Sequence, residues 1–144
     1  FITDSSHTLF GKLDHSKEIL IPKKHPTTGA SGFDVINPLY CYEGGELLQG
    51  TYKDGPTTKI DRSAIIVNRG WIPAHLKDKR DRPQAELNSR EIVKIKGVFR
   101  AGKDIHDYKI PNNPNNNEWN NLALEDIGLF WDLPNWDEAK YYYF

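Results

Sequence analysis

Alternation of apolar and polar residues predicts a chain built mainly from short β-strands. The clearest strand spans residues 91–100, where one face is apolar and the other mostly basic. The apolar face carries Val93, Ile95, Gly97 and Phe99. The opposite face carries Lys94, Lys96, Val98 and Arg100. This pattern is typical of a strand with one side against a core and one side in water.

Further segments have strand character. Residues 8–13 and 18–22 are extended, with a turn composition between them. Residues 33–37 alternate, and Asn37-Pro38 is expected to end that strand, because proline cannot donate to a β-ladder.

The run Ala64-Ile65-Ile66-Val67 is apolar without alternation, which predicts a strand covered on both faces. Residues 140–144 also favour a strand. Residues 43–61 and 77–90 are expected to be long, solvated connections, because glycine turns interrupt the first and charges and proline the second.

One short α-helix is predicted near residues 121–128. Asn120 or Asn121 would cap its start, and Gly128 suits its C-terminal exit. About six strands and one helix predict an all-β fold, in the form of a small curved sheet or a β-barrel-like domain.

Length and composition predict residues 1–144 to be a single soluble domain. The sequence has no run of about 18 apolar residues, so no segment predicts a membrane span. It also lacks methionine, and we expect it to be a fragment of a longer chain. Any membrane helices would then lie outside it.

Net charge and cysteine content bear on two classes of function, polyanion binding and disulfide or copper chemistry. The formal net charge of −1 argues against a general polyanion binder. Cys41 is the single cysteine, which excludes an internal disulfide and a paired-thiolate copper site.

No residue pattern predicts catalysis or a bound cofactor. The five histidines lie in or near turns without metal-ligand spacing, and no GxSxG turn exposes a serine. The stretch Asp104-Ile105-His106-Asp107 could hold a cation, but such loop groups are more often solvated. We therefore expect no catalytic residue, no metal and no cofactor within residues 1–144, and a protein that is not an enzyme.

The basic face of residues 91–100 raises the possibility of a barrel that binds single-stranded nucleic acid. Such a surface needs aromatic residues interleaved with the basic ones. Val98 is the only apolar residue on that face, so we favour a solvated face and no nucleic-acid partner.

The segment from Val67 to Pro73 is the most informative, because a buried strand runs into polar and aromatic residues. In the structural interpretation, Arg69 hydrogen-bonds within the domain, Gly70 allows a bulge, and a largely buried Trp71 covers a barrel mouth. In the functional interpretation, Arg69 and Trp71 anchor a partner protein. We favour the structural interpretation.

Two motifs, Gly32–Leu39 and Ile65–Pro73, resemble the surfeit locus protein 1 family of cytochrome c oxidase assembly factors. Weaker matches occur in the family's order at residues 14–18, 96–100 and 110–114. The family-signature residues, which are also possible partner contacts, are Gly32, Pro38, Asn68, Arg69, Gly70, Trp71, Pro73 and Trp119.

The resemblance implies a non-catalytic protein that supports assembly of cytochrome c oxidase (complex IV), around haem a maturation of its catalytic subunit. It implies a domain on the intermembrane-space side of the mitochondrial inner membrane, or on the bacterial periplasmic face, anchored by flanking helices. Lysine outnumbers arginine and asparagine is frequent, which is typical of an AT-rich genome and favours the mitochondrial location. Family haem handling is attributed to the membrane part, so no haem ligand is carried over.

Two departures from the family favour an alternative. Residues 43–61 look longer than the family's connection, and the region after Gly128 looks altered. The chain could therefore be a permanent accessory subunit of the mature oxidase or of a respiratory supercomplex.

Overall fold

A computed structural model describes residues 5–49, 63–82 and 90–144. Seven strands form one sheet in the order β7-β1-β3-β6-β9-β8, with β2 also paired to β3. The strands of this sheet are β1 (Ser6–Leu13), β2 (Ile19–Lys24), β3 (Ser31–Tyr40), β6 (Ala64–Pro73), β7 (Val93–Val98), β8 (Arg100–Ala101) and β9 (Tyr142–Tyr143). The hairpin strands β4 (Tyr42–Glu43) and β5 (Glu46–Leu47) pair separately. Two helices follow, α1 (Leu124–Phe130) and α2 (Trp136–Ala139).

The sheet curls strongly without closing into a barrel. Its two end strands, β7 and β8, are separated along the chain by Phe99 alone. Because one residue cannot span a flat six-strand row, the two ends of the sheet must approach each other. Phe99 is 1% exposed and packs edge-to-face on Phe144, with ring centroids 4.8 Å apart. The predicted fold class is confirmed in its curved-sheet form.

Strand β6 is buried on both faces, as its unbroken apolar run predicts. Ala64 and Ile66 face one core, which α1 and α2 cover. Ile65 and Val67 face the other core, inside the curl of the sheet. The first core contains Ile19, Ile21, Ile36, Ala64, Ile66, Trp119, Leu124, Ile127, Trp131, Leu133 and Ala139. The second contains Leu9, Leu13, Leu39, Cys41, Ile65, Val67, Phe99 and Phe144.

The prediction that Asn37-Pro38 ends a strand is wrong, because β3 continues to Tyr40. Pro38 lies where β2 stops pairing with β3 and β1 takes over. Its carbonyl accepts a hydrogen bond from the backbone N–H of Asp14 at 3.1 Å. In an extended strand the amide of a residue points to the same side as its carbonyl. The missing N–H therefore faces the gap between β1 and β2, where no ladder bond is lost.

The predicted helix exists, with shifted ends. Ala123 is the N-cap residue, and its N–H donates to Asn121 Oδ1 at 3.1 Å. Gly128 lies inside α1 instead of ending it. A Cβ atom at Gly128 would lie 3.2 Å from Trp136 Cβ, so this glycine allows α2 to pack closely on α1. The sequence pattern did not predict α2.

The expected long connections fall partly outside the described residues. Within them, Gly44 and Gly45 form the turn between β4 and β5, both with positive φ. The 3-10 turn Lys79–Asp81 lies at the start of the second connection, and the 3-10 turn Ala74–Leu76 lies just before it.

We expect Phe99→Ala to lower the free energy of unfolding by about 3–5 kcal/mol, because it leaves a cavity where the two ends of the sheet meet. Urea unfolding followed by tryptophan fluorescence measures the change. Tyr141→Ala, at a residue that is 57% exposed, is the control and should stay within about 0.5 kcal/mol. Equal losses in both variants would contradict the proposed role of Phe99.

Candidate functional site

The centre of the second motif forms a β-bulge on β6. Asp34 pairs with Trp71 and Ile36 pairs with Asn68, so Arg69 and Gly70 together lie opposite Val35. Gly70 has φ of +110°, a conformation that residues with a Cβ atom rarely adopt. The bulge that Gly70 was expected to allow is therefore present.

The bulge places the Arg69 guanidinium over a buried asparagine. Arg69 Nη1 donates to Asn37 Oδ1 at 3.1 Å, and Asn37 Nδ2 donates to the carbonyl of Asp14 at 3.1 Å. Asn37 is fully buried, so its amide needs these partners. The Asn37 side chain thus joins β6 to the turn between β1 and β2.

Asn68 holds the bulge in shape from within β6. Its Oδ1 accepts the N–H of Gly70 at 2.9 Å. Its Nδ2 donates to Asp34 Oδ2 at 3.2 Å, and the same carboxylate oxygen lies 3.5 Å from Lys23 Nζ. One side chain therefore fixes the backbone of its own strand and the side chain of the neighbouring one.

Most of Trp71 is buried, as expected, but Trp71 covers no barrel mouth. The sheet is open, and the indole lies across Gly32 of β3. A Cβ atom at Gly32 would come within 2.4 Å of the indole ring. Trp71 Nε1 donates to the carbonyl of Lys23 at 2.8 Å, and the His25 ring packs edge-on at 4.8 Å. Trp71 thus ties β6 across β3 to the end of β2.

A buried ion pair lies beside this motif. Arg82 Nη1 and Nη2 donate to the two carboxylate oxygens of Glu18 at 3.0 and 2.9 Å. The two side chains are 10% and 8% exposed. The sequence interpretation missed this pair, because the residues are 64 positions apart and each follows an unremarkable polar stretch. Arg82 also donates to the carbonyl of Lys77, so the pair anchors the segment after β6.

Positive charge is in excess around Glu18. Burial lowers the pKa of Arg69; the nearby Glu18 carboxylate opposes that shift and Arg82 adds to it. Burial also lowers the pKa of His15, with further lowering by Arg69 and Lys79 and opposition from Glu18 and Asp14. Lys79 Nζ donates to the His15 carbonyl. Two basic side chains, Arg69 and Lys79, thus act on the His15 imidazole together with burial, which favours its neutral form.

A cleft of about 540 Å³ opens on the other side of Glu18. Trp119 contributes to it and to the core, and its Nε1 donates to Asn117 Oδ1 at 2.8 Å. Phe130, 44% exposed at the end of α1, packs edge-on against Trp119 at 5.2 Å. The cleft is lined by Glu18, Leu20, Pro22, Phe33, Lys77, Asn117, Glu118, Trp119 and Asn120.

The structure brings most of the predicted signature residues together on β3 and β6. Gly32 pairs with Pro73, and Trp71 lies against Gly32. Pro38 lies farther along β3, beside the β1–β2 junction. Trp119 lies apart from this group, in the cleft. Asn37, Glu18 and Arg82 were not among the predicted site residues. Only Asn37 carried a signal, as a polar residue inside an apolar stretch.

The described part of the chain offers polar tethering more than reactive chemistry. Within residues 5–49, 63–82 and 90–144, no group of three His, Cys, Asp or Glu side chains could hold a metal ion. Burial raises the pKa of the Cys41 thiol to about 12, so this cysteine stays protonated and unreactive. Of the helices in these ranges, none has the length and apolar character needed to cross a bilayer.

The sequence model of one protein family matches residues 4–141, nearly the whole chain. The chain belongs to the SURF1 family. The resemblance drawn from the two motifs is therefore confirmed. No curated protein matches the chain. The SURF1 family is known for cytochrome oxidase assembly factors, which act in membranes and are generally non-catalytic.

We expect Glu18→Gln to cost about 3–5 kcal/mol of unfolding free energy, because it leaves the buried Arg82 guanidinium without its anion. Chemical denaturation measures the loss. Glu118→Gln, at an exposed position in the same cleft, is the matched control and should change little. An unchanged free energy of unfolding in the Glu18→Gln variant would mean that the ion pair contributes nothing to stability.

A second prediction concerns acid. Because the pKa of His15 is lower in the folded chain than its ordinary value of 6.5, protonation favours the unfolded state. The His15 contribution is complete above pH 6.5 and is lost as pH falls below it. His15→Gln should therefore flatten the loss of unfolding free energy below pH 6.5. The exposed His106→Gln variant should keep the slope of the unmodified chain.

Proposed function

We propose that this chain is a non-catalytic docking domain that binds cytochrome c oxidase subunits and supports assembly of the oxidase. The family match across residues 4–141 carries this proposal. The signature residues support it as a folding unit, since Asn68, Arg69 and Trp71 all hydrogen-bond to other parts of the chain. A fixed scaffold of this kind suits a protein that acts by presenting a surface.

The surface proposed for docking is the rim of the Trp119 cleft together with the end of α1. Leu129 and Phe130 are adjacent and are 51% and 44% exposed. Large apolar side chains grouped at a concave surface are typical of protein-binding sites. The amides of Asn117 and Asn120 add polar groups at the same rim. The exposed apolar pair would fill a partner's pocket while the amides fix its orientation.

The finer assignment follows the family. The domain would act on the intermembrane-space side of the mitochondrial inner membrane, with a bacterial periplasmic location as the alternative. It would support haem a maturation of the catalytic subunit without holding haem itself. Histidines of the described residues do not converge on one site: His7 packs on Phe99, His15 lies at the Glu18 cluster and His25 lies on Trp71.

A permanent accessory subunit is the second candidate. The long connection at residues 43–61 and the altered region after Gly128, which forms α2 and β9, favour it.

Capture from native membranes in mild detergent tests the proposal. We expect the tagged chain to retain oxidase subunits, and Leu129→Asp with Phe130→Ser to abolish capture without changing the melting temperature. Tyr141→Ser removes a comparably exposed side chain and should leave capture unchanged.

The composition of the captured material separates the candidates. Immature catalytic subunit alone supports a transient assembly factor, and active, haem-loaded oxidase supports an accessory subunit. Absence of every oxidase subunit would contradict both. Salt-sensitive binding to a single-stranded oligonucleotide in place of oxidase would favour the nucleic-acid alternative.

A further inference from the structure

The outer edge of β2 faces away from the rest of the sheet. Among the described strands, β2 pairs with β3 alone. The backbone N–H of His25 donates to the carbonyl of Ala30 at 2.8 Å, and these two residues continue the register of the β2–β3 ladder. Because hydrogen-bonded and non-bonded pairs alternate in an antiparallel ladder, the backbone polar groups of Leu20, Pro22 and Lys24 point away from β3.

The Trp119 cleft lies along this edge. Trp119 packs in the first core with Ile19 and Ile21 of β2. Leu20 and Pro22 alternate with those two residues, so their side chains lie on the opposite face of the sheet. Trp119, Leu20 and Pro22 all line the same cleft. A cleft that is lined from both faces has to pass the edge of the sheet, so it runs beside the outward backbone groups of β2.

The edge presents hydrogen-bond donors and acceptors in a fixed pattern. Leu20 presents an N–H and a carbonyl, Pro22 a carbonyl only, and Lys24 again both. Proline and lysine protect edge strands against non-specific pairing, and here they occupy the far half of β2. Leu20, in contrast, is partly buried in the cleft. An extended polypeptide is the ligand whose backbone groups match this spacing.

The walls of the cleft define which side chains such a ligand would carry. Phe33 and Lys77 belong to one wall, with Lys77 Nζ 5.4 Å from the centre of the Phe33 ring. No ion pair joins Lys77 to another described residue. Trp119 belongs to the other wall, next to the exposed Glu118. Side chains of an added strand alternate between the walls, so a carboxylate facing Lys77 and an apolar group facing Trp119 would fit.

We propose that the cleft binds an extended segment of the partner protein as an additional strand on β2. Leu20 would form a hydrogen-bonded pair with the segment, and the carbonyl of Pro22 would accept one further bond. This inference rests on the proposed docking at the same cleft, and it specifies the form in which the partner docks.

Overlapping synthetic peptides that cover the captured oxidase subunits are the probe, and fluorescence anisotropy measures their binding to the chain. We expect an acidic, partly apolar segment to bind. Methylation of single backbone nitrogens in that peptide should weaken binding at every second residue, because ladder bonds to one neighbour occur on alternate residues. Each blocked bond should lower the affinity by about fivefold, as expected for one hydrogen bond.

Substitutions on β2 test the same bonds from the other side. Leu20→Pro and Leu20→Ala both remove the side chain, but only the proline removes the outward N–H. Leu20→Pro should therefore bind the peptide about fivefold more weakly than Leu20→Ala. Pro22→Ala adds an outward N–H and should strengthen binding by a similar factor. Lys77→Glu should weaken binding by about threefold or more, because it repels the carboxylate.

Melting temperatures verify that the variants are folded. If Leu20→Pro does not fold, Pro22→Ala and the methylated peptides decide. Capture of oxidase subunits without binding of any peptide would overturn strand addition and leave the proposed docking intact. A loss without alternation along the methylated peptide would have the same meaning.

Two further results would also overturn the inference. A chain that sediments as a dimer, and as a monomer after Leu20→Pro, would show that a second copy occupies the edge of β2. Absence of every oxidase subunit from the captured material would contradict the proposed function itself, and the inference with it.

Discussion

Burial of β6 on both faces is the constraint on which the rest of the structure depends. Ile65 and Val67 fill the inside of the curled sheet, while Ala64 and Ile66 meet the core beneath α1. Hydrophobic burial is the main driving force for folding, and this strand supplies it to two cores at once. Both cores therefore pack on the same strand, which fixes their positions relative to each other. Its polar continuation, from Asn68 to Trp71, is held at a fixed position as a result.

Residues 68–71 continue the apolar strand with side chains that hydrogen-bond to neighbouring strands. The bulge at Arg69 and Gly70 bends the strand, and from it Arg69 reaches Asn37 of β3 while Trp71 reaches the Lys23 carbonyl of β2. The Arg69 bond ends on the buried Asn37 and the Trp71 bond on a backbone carbonyl. A substitution in this motif is therefore expected to act on several strands together.

Sequence patterns predicted the elements whose buried residues follow a recognisable spacing along the chain. The two-sided burial of β6, the alternation in β7 and the bulge at Gly70 all depend on residues within a few positions. The continuation of β3 through Pro38 did not follow from spacing, since it depends on which neighbouring strand pairs there. The Glu18–Arg82 pair and the position of Trp71 across Gly32 likewise depend on distant segments. The family could be inferred because its two motifs lie on the paired strands β3 and β6, where local pattern and tertiary role coincide.

The order of strands in the sheet has a consequence for synthesis of the chain. β8 is joined to the sheet through β9, whose Tyr143 pairs with Arg100 on one side and Ile66 on the other. β1 finds its outer partner β7 about ninety positions later along the chain. A ribosome or translocation channel that still encloses residues 142–143 therefore holds a molecule with one end of its sheet unpaired. Until those residues emerge, the edges of β6 and β8 that β9 pairs with are open to pairing with other chains.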